Sequence, residues 1–200
     1  MVRGLFNLPG FQGLLLPRLG LSGTLCAHFE IPSPIIRGAQ WGPGDVDTLL
    51  YREEDLEHAV AIEWERVKVE PVTFSTEMPG KLARLSHGVI QANLLREAGY
   101  WRAYLGIIVQ VDGRERAPFN FLFRGLTCEL VKLIRGFPDR ERLAPGVGLI
   151  FAEVEQPVNK EIWLAGGIGV HVEIEPLPQA QPRELTTWIM QLHRSAGAES

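Results

Sequence analysis

The chain reads GDVDTLLY at positions 44–51 and AVAIEWERVKV at positions 59–69, and these two segments decide its fold and its candidate site. Both are rich in apolar and β-branched residues, so both are predicted to be strands. Both also place acids inside apolar runs. Carboxylates are rarely buried in proteins unless they are paired with a cation or bound to a metal. The two segments therefore predict a sheet that carries acids at a functional position.

The acids of the two strands can converge on one face of the sheet. Side chains alternate along a strand, so Glu63 and Glu65 share a face. If the strands are hairpin partners, Asp47 lies opposite the two glutamates, and Asp45 shares its face as a spare ligand. Hard oxygen ligands of this kind suit Mg²⁺ or Mn²⁺. The alternative interpretation is a set of ordinary solvent-facing acids on a hairpin, paired with nearby basic residues.

The rest of the chain predicts a mixed α/β fold. Strands are expected at 46–51, 58–69, 101–111, 147–154 and 168–174, and helices at 81–98, 119–135 and 185–194. Residues 1–40 are rich in Gly, Pro and Leu without a sustained period, so we expect a loop-rich lead-in. A single α/β domain is then expected over 41–194, followed by a flexible tail at 195–200. This order excludes a wholly parallel sheet.

Charge and composition narrow the function classes. The 200 residues carry a formal net charge of −4, which counts against constitutive nucleic-acid binding, although a local basic groove is compatible with it. The two cysteines, Cys26 and Cys128, are predicted to be free thiols. No apolar run reaches the roughly 20 residues of a membrane span. Pro17 and Gly20 interrupt the only apolar stretch near the N-terminus, so we expect a cytoplasmic protein without membrane association.

Asp47, the run from Glu63 to Glu65 and a following helix that carries Gln91 resemble the PD-(D/E)XK nuclease superfamily, also called restriction-endonuclease-like. Its pattern is an Asp on one strand, Glu-x-Lys on the next, and a helix that often adds Gln or Lys. The resemblance covers positions 44–112. It implies a restriction-endonuclease-like mixed central sheet flanked by helices. It also implies Mg²⁺ or Mn²⁺ held by Asp47, Glu63 and Glu65, and metal-dependent hydrolysis of DNA.

One position departs from the superfamily pattern, because Glu65 stands where the family has Lys. That Lys orients the attacking water or stabilises charge in the transition state. Lys68 could replace it only if a bulge re-aimed its side chain, and Lys81 at the start of the helix is the better substitute. Gln91 is expected to position the water or a phosphate. Of the five histidines, His87 is expected to lie nearest to the site.

Two hypotheses from other classes remain open. The first is a nuclease-like fold without catalysis that serves as a binding or assembly module, which Glu65 and the acidic sequence pI of about 5.8 favour. The second is a homodimeric scaffold, because the half-exposed strand predicted at 168–174 could pair edge to edge with a second copy.

Overall fold

The computed structural model describes residues 2–32, 34, 44–69, 82–112, 128–156 and 167–197. Its helices are α1 (Val2–Phe6), α2 (Pro9–Leu15), α3 (Leu85–Glu97), α4 (Cys128–Arg135) and α5 (Arg183–Gly197), with a 3₁₀ helix at Arg140–Arg142. Its strands are β1 (Leu25–Pro32), β2 (Asp45–Arg52), β3 (Asp55–Val69), β4 (Arg102–Asp112), β5 (Val147–Gln156) and β6 (Ile168–Ile174).

The described strands form one mixed six-stranded sheet in the order β1-β2-β3-β4-β5-β6. The three central strands β3, β4 and β5 are parallel, while β1, β2 and β6 join the sheet antiparallel to their neighbours. Helix α3 makes the crossover from β3 to β4, as a parallel connection requires. The two central pairings bury long apolar runs, which is typical of strands covered on both faces.

Helices cover both faces of the sheet. On one face, Val60, Ile62 and Trp64 of β3 pack in a core with the apolar side chains of α1 and α2. On the other face, the parallel strands pack against α3 and α4, and the neighbouring part of β2 and β3 packs with the end of α3 and with α5. The acids at positions 63 and 65 belong to this second face by strand alternation.

The sequence predicted most of these elements within a few residues. The hairpin of β2 and β3 is confirmed as antiparallel, and the mixed α/β class with a sheet flanked by helices is confirmed. The predicted helix at 81–98 is shorter and runs from Leu85 to Glu97. Of the helix predicted at 119–135, the described part begins at Cys128. Strand β6 lies at a sheet edge, as expected. In the described ranges, no helix is long and apolar enough to span a membrane.

The secondary structure expected near the two ends of the chain differs from the structure. Residues 2–32 form two short helices and the edge strand β1 instead of a loop-rich lead-in. Phe11 and Leu15 of α2 are completely buried, so tertiary packing stabilises helices that are too short to form alone. At the other end, α5 continues to Gly197, three residues past the predicted limit.

Candidate functional site

Asp47 lies where the hairpin of β2 and β3 stops pairing through the backbone. The last backbone pair joins Thr48 to Ile62. Beyond it, the backbone N–H of Trp64 donates a 2.8 Å hydrogen bond to Asp47 Oδ2. The carboxylate thus takes the place of a strand carbonyl and is held next to β3. Burial raises the pKa of Asp47 and the Trp64 N–H opposes this, while the charges of Glu30 and Asp45 raise the pKa further.

The next residue of β2 fixes the other end of the same tryptophan. The indole Nε1–H of Trp64 donates a 3.1 Å hydrogen bond to Thr48 Oγ1, and Thr48 is fully buried. Buried hydroxyl and indole groups need such partners. Asp47 and Thr48 therefore hold Trp64 from opposite faces of the sheet, which sets the position of β2 relative to β3.

Glu63 is a strongly perturbed acid of the hairpin. Its side chain is half-buried in the strand. Burial, followed by the charges of Asp47 and Glu65, raises the pKa of Glu63 to about 8. A carboxyl group with this pKa is mostly protonated at neutral pH. Like charges that share a desolvated place raise pKa values in this way, and such groups mark candidate functional sites.

Glu65 interacts both with Asp47 and with the first turn of α3. Burial raises its pKa and the charge of Asp47 adds to this, whereas the charges of His87 and Arg84 and a hydrogen bond from the backbone N–H of Gly88 oppose the rise. His87, the histidine expected nearest to the candidate site, thus lies close enough to Glu65 for its charge to act on that carboxylate. The role of Arg84 was not predicted, although it stands on the same helix face as Gln91.

Helix α3 can approach Glu65 this closely because Gly88 has no side chain. A side chain at this position would overlap Glu65. A Cβ atom at Gly88 would lie 2.4 Å from Glu65 Cγ and 3.0 Å from Leu105 Cδ1. Helix α3 therefore rests directly on β3 and β4 at this point. The first turn of a helix also attracts negative charge through its free N–H groups. The close approach of α3 to the sheet consequently brings His87 and Arg84 near the carboxylate of Glu65.

Gln91 lies one turn further along α3, beside the start of β2. Its Nε2 would be 3.6 Å from a Cβ atom at Gly44, whose φ of +22° falls in a range that side chains rarely adopt. Its Oε1 is buried and has no hydrogen-bond partner among the described residues. An amide oxygen in this state is available to a ligand or a water. The predicted position of Gln91 near the acids is compatible with this placement.

The remaining predicted residues have different outcomes. Asp45 is exposed at the beginning of β2, and its charge reaches Asp47. Lys68 does not join the acids, because β3 pairs with β4 in one unbroken register from Val60 to Val69. Without a bulge, Lys68 stays on the face opposite Glu65. Lys81 lies outside the described residues.

The neighbouring strand β1 is distorted opposite Asp47. Phe29 pairs with Thr48 and Ile31 pairs with Val46, while Glu30 between them has a φ of 53°. This left-handed conformation is uncommon for a residue with a side chain. Strained backbone of this kind clusters at functional sites. The kink carries the charge of Glu30 close enough to act on Asp47.

Asp47, Glu63 and Glu65, which we call the acid cluster, offer a donor set of hard oxygens. Asp47 Oδ2 and one side of Glu65 already accept backbone N–H groups, yet each carboxylate retains further lone pairs. Among the described residues, no three acid, histidine or cysteine side chains are placed so that one ion could contact them all. The oxygen donors suit a divalent ion by their chemistry, but their present arrangement among the described residues does not form a site for one.

The sequence matches no protein-family model and no curated protein.

Proposed function

We propose that the acid cluster binds Mg²⁺ or Mn²⁺ and that the domain hydrolyses phosphodiester bonds in DNA as a PD-(D/E)XK-like nuclease. The observation that carries this proposal is the β2–β3 hairpin, which holds Asp47 against β3 through the Trp64 N–H and near Glu63, whose pKa burial and the charges of Asp47 and Glu65 raise to about 8. Three acids that repel one another in a desolvated place destabilise the fold, and a bound cation would remove this cost. The order of β2, β3, α3 and β4 agrees with the superfamily pattern.

In this proposal, different residues bind the metal and position the water. Asp47, Glu63 and Glu65 would hold the metal, which when bound supplies an activated water and neutralises phosphate charge. Gln91, with an unpartnered amide oxygen in the described region, would orient that water.

Arg84 and His87 are better placed than Lys68 to provide the positive charge that the superfamily takes from Lys. Both act on the carboxylate of Glu65, and both follow from the approach of α3 to the sheet. A guanidinium pairs readily with a phosphate through two parallel hydrogen bonds. In this proposal, Arg84 contacts the scissile phosphate or its neighbour, and Glu65 holds Arg84 and the metal in register.

The second candidate function is a nuclease-like fold without catalysis that acts as a binding or assembly module. The observation that favours it is the hydrogen bond from the Gly88 N–H to Glu65. If Glu65 serves only to join α3 to β3, the acid cluster is structural. Metal binding separates the two candidates.

The test is calorimetric titration with Mn²⁺ together with a plasmid cleavage assay in Mg²⁺. Glu63→Gln keeps the side-chain volume and removes the charge, so we expect it to abolish both the binding heat and cleavage. Glu57→Gln is the matched control, because Glu57 lies on the same strand and is exposed. It should leave both unchanged.

The outcomes are distinct. Mn²⁺ binding without cleavage by the wild-type protein would support the second candidate. Absence of specific Mn²⁺ binding would end the proposal of a metal site. Cleavage that persists in both Glu63→Gln and Asp47→Asn would show that the activity belongs to another protein or another site.

A further inference from the structure

A thiol, an imidazole and a carboxylate meet on the side of the molecule formed by β1, the β2–β3 turn and α5. Cys26 Sγ lies 3.7 Å from His193 Nδ1. On the other side of the same ring, His193 Nε2 lies 3.3 Å from Glu53 Oε1. The three residues come from elements that are far apart in the sequence. The order nucleophile, base and orienting acid is the arrangement by which enzymes activate weak nucleophiles.

The carboxylate determines how the imidazole can act. Glu53 Oε1 faces His193 Nε2 at 3.3 Å, and an ionised carboxylate can only accept a hydrogen bond, so Glu53 favours the tautomer that carries the ring proton on Nε2. Nδ1 is then the acceptor that faces the thiol of Cys26. The side chain of His193 is 31% exposed and that of Glu53 is 65% exposed. Cys26 is also partly exposed.

Tyr51 forms the floor of this group. It is fully buried, its hydroxyl lies 2.7 Å from His28 Nε2, and it also makes a hydrogen bond with Cys26. Its ring meets the ring of His193 edge to face with centroids 6.1 Å apart. The charged or titratable side chains around the thiol are therefore Tyr51, His28, His193, Glu53 and Glu54.

The electrostatics decide which kind of activation is available. Burial and the charges of Glu53 and Glu54 raise the pKa of Cys26, and the hydrogen bond with Tyr51 opposes them only in part. The resting thiol is consequently protonated at neutral pH. A preformed thiolate is thus excluded, and the proton must move to a base while the sulfur attacks.

We propose that Cys26 is a thiol–disulfide exchange site for low-molecular-weight disulfides, with His193 as its base and Glu53 as a positioning residue. The Cys26 S–H proton passes to His193 Nδ1 as Sγ attacks one sulfur of the disulfide. The S–S bond breaks, and the leaving thiolate takes the proton from His193. The products are a mixed disulfide on Cys26, which is oxidised, and one free small thiol, which is reduced.

Disulfide exchange is favoured over acyl transfer because it needs fewer groups. Attack on a carbonyl creates an oxyanion that requires its own hydrogen-bond donors. Attack on a disulfide requires only a deprotonated sulfur, access, and a proton for the leaving group. His193 Nδ1 faces the thiol and can take its proton and return it to the leaving sulfur, and Cys26 is partly exposed. This site is separate from the acid cluster, so neither proposal depends on the other.

The experiment uses the full chain with Cys128→Ser, which leaves Cys26 as the single cysteine. Oxidised glutathione is the probe, and adduct formation is followed by intact mass against time at pH 7. Relative to this parent, His193→Gln should lower the second-order rate by about 100-fold or more, the usual contribution of general-base catalysis. Glu53→Gln should lower it by about threefold. His171→Gln, at an exposed histidine of β6, is the matched control and should not change it.

The pH dependence provides a readout that a structural role would not move. A thiol without a base reacts in proportion to its thiolate, so the rate of His193→Gln should rise about tenfold per pH unit below the thiol pKa. The parent should show a shallower dependence near neutrality. Equal rates and equal pH profiles for the parent and both site variants would overturn the proposal, as would the absence of an adduct. Glu53 is exposed, so its variant remains informative if His193→Gln fails to fold.

Discussion

The strongest prediction concerns Glu63→Gln and the pH dependence of stability. In the folded protein the pKa of Glu63 is raised from its ordinary value of 4.5 to about 8. Because the native state holds this proton more tightly than the unfolded state, the free energy of unfolding falls as pH rises between those values. Glutamine has nearly the same shape and carries no charge. The substitution should therefore stabilise the protein at high pH and have little effect at low pH.

The magnitude follows from about 1.36 kcal/mol per pH unit of difference between the two pKa values. Ionisation of Glu63 costs less than about 0.5 kcal/mol at pH 4.5, about 2 kcal/mol at pH 6 and about 4 kcal/mol at pH 8. The last figure is an upper limit for the gain in Glu63→Gln, since a neutral amide also needs hydrogen-bond partners in a half-buried place. We expect a gain of about 1–4 kcal/mol at pH 8.

Urea denaturation in metal-free buffer at several pH values measures this difference. The curve for Glu63→Gln should separate from the wild-type curve progressively above pH 5. Glu57→Gln, with an exposed acid on the same strand, should follow the wild type throughout. A stability difference between Glu63→Gln and the wild type that does not vary with pH would refute the reasoning, because it would mean that the acid titrates alike in both states.

Three further predictions test the surroundings of the acid cluster. Gly88→Ala should destabilise the protein by about 1–3 kcal/mol in urea denaturation, because its Cβ would overlap the packed sheet, whereas Gly13→Ala, with no atom within 4 Å of its added Cβ, should be neutral or stabilising by up to about 1 kcal/mol. Thr48→Val should cost about 1–3 kcal/mol by leaving the buried Trp64 indole N–H unpaired, while the exposed Thr187→Val should change stability by less than about 0.5 kcal/mol. Mn²⁺ at about 100 times its dissociation constant should raise the free energy of unfolding by about 2.7 kcal/mol, and EDTA should reverse the increase; an unchanged unfolding midpoint would contradict metal binding.

The hairpin and its acids could be predicted from sequence because strand alternation is a local rule. Once residues 59–69 are recognised as a strand, Glu63 and Glu65 must share a face and Lys68 must face the other way unless a bulge intervenes. The unbroken β3–β4 register fulfils that rule. The pairing with β2 followed from the short charged turn between the strands.

Features that depend on tertiary approach could not be predicted in the same way. Arg84 and His87 act on Glu65 only because α3 rests on the sheet at Gly88, and no local pattern states that distance. The helices α1 and α2 have five and seven residues, too few to show a periodic apolar stripe. Their positions are set by the core that they cover.

The group around Cys26 illustrates the same limit more strongly. Its three residues stand at positions 26, 53 and 193, and none has a partner at a recognisable spacing. The sequence therefore indicated only free thiols and scattered histidines. Helix α5 must fold back against β1 and β2 before the imidazole meets the thiol, so the arrangement is a property of the fold alone.

The two hydrogen bonds that fix Trp64 also make its intrinsic fluorescence a reporter of changes at Asp47. Its backbone is tied to Asp47 and its indole to Thr48, so any ligand that draws the aspartate away shifts the environment of the ring. The emission of this residue should consequently change when an ion arrives on the far side of the sheet. A protein with five tryptophans can report on that event without a dye, once the other four have been replaced by phenylalanine.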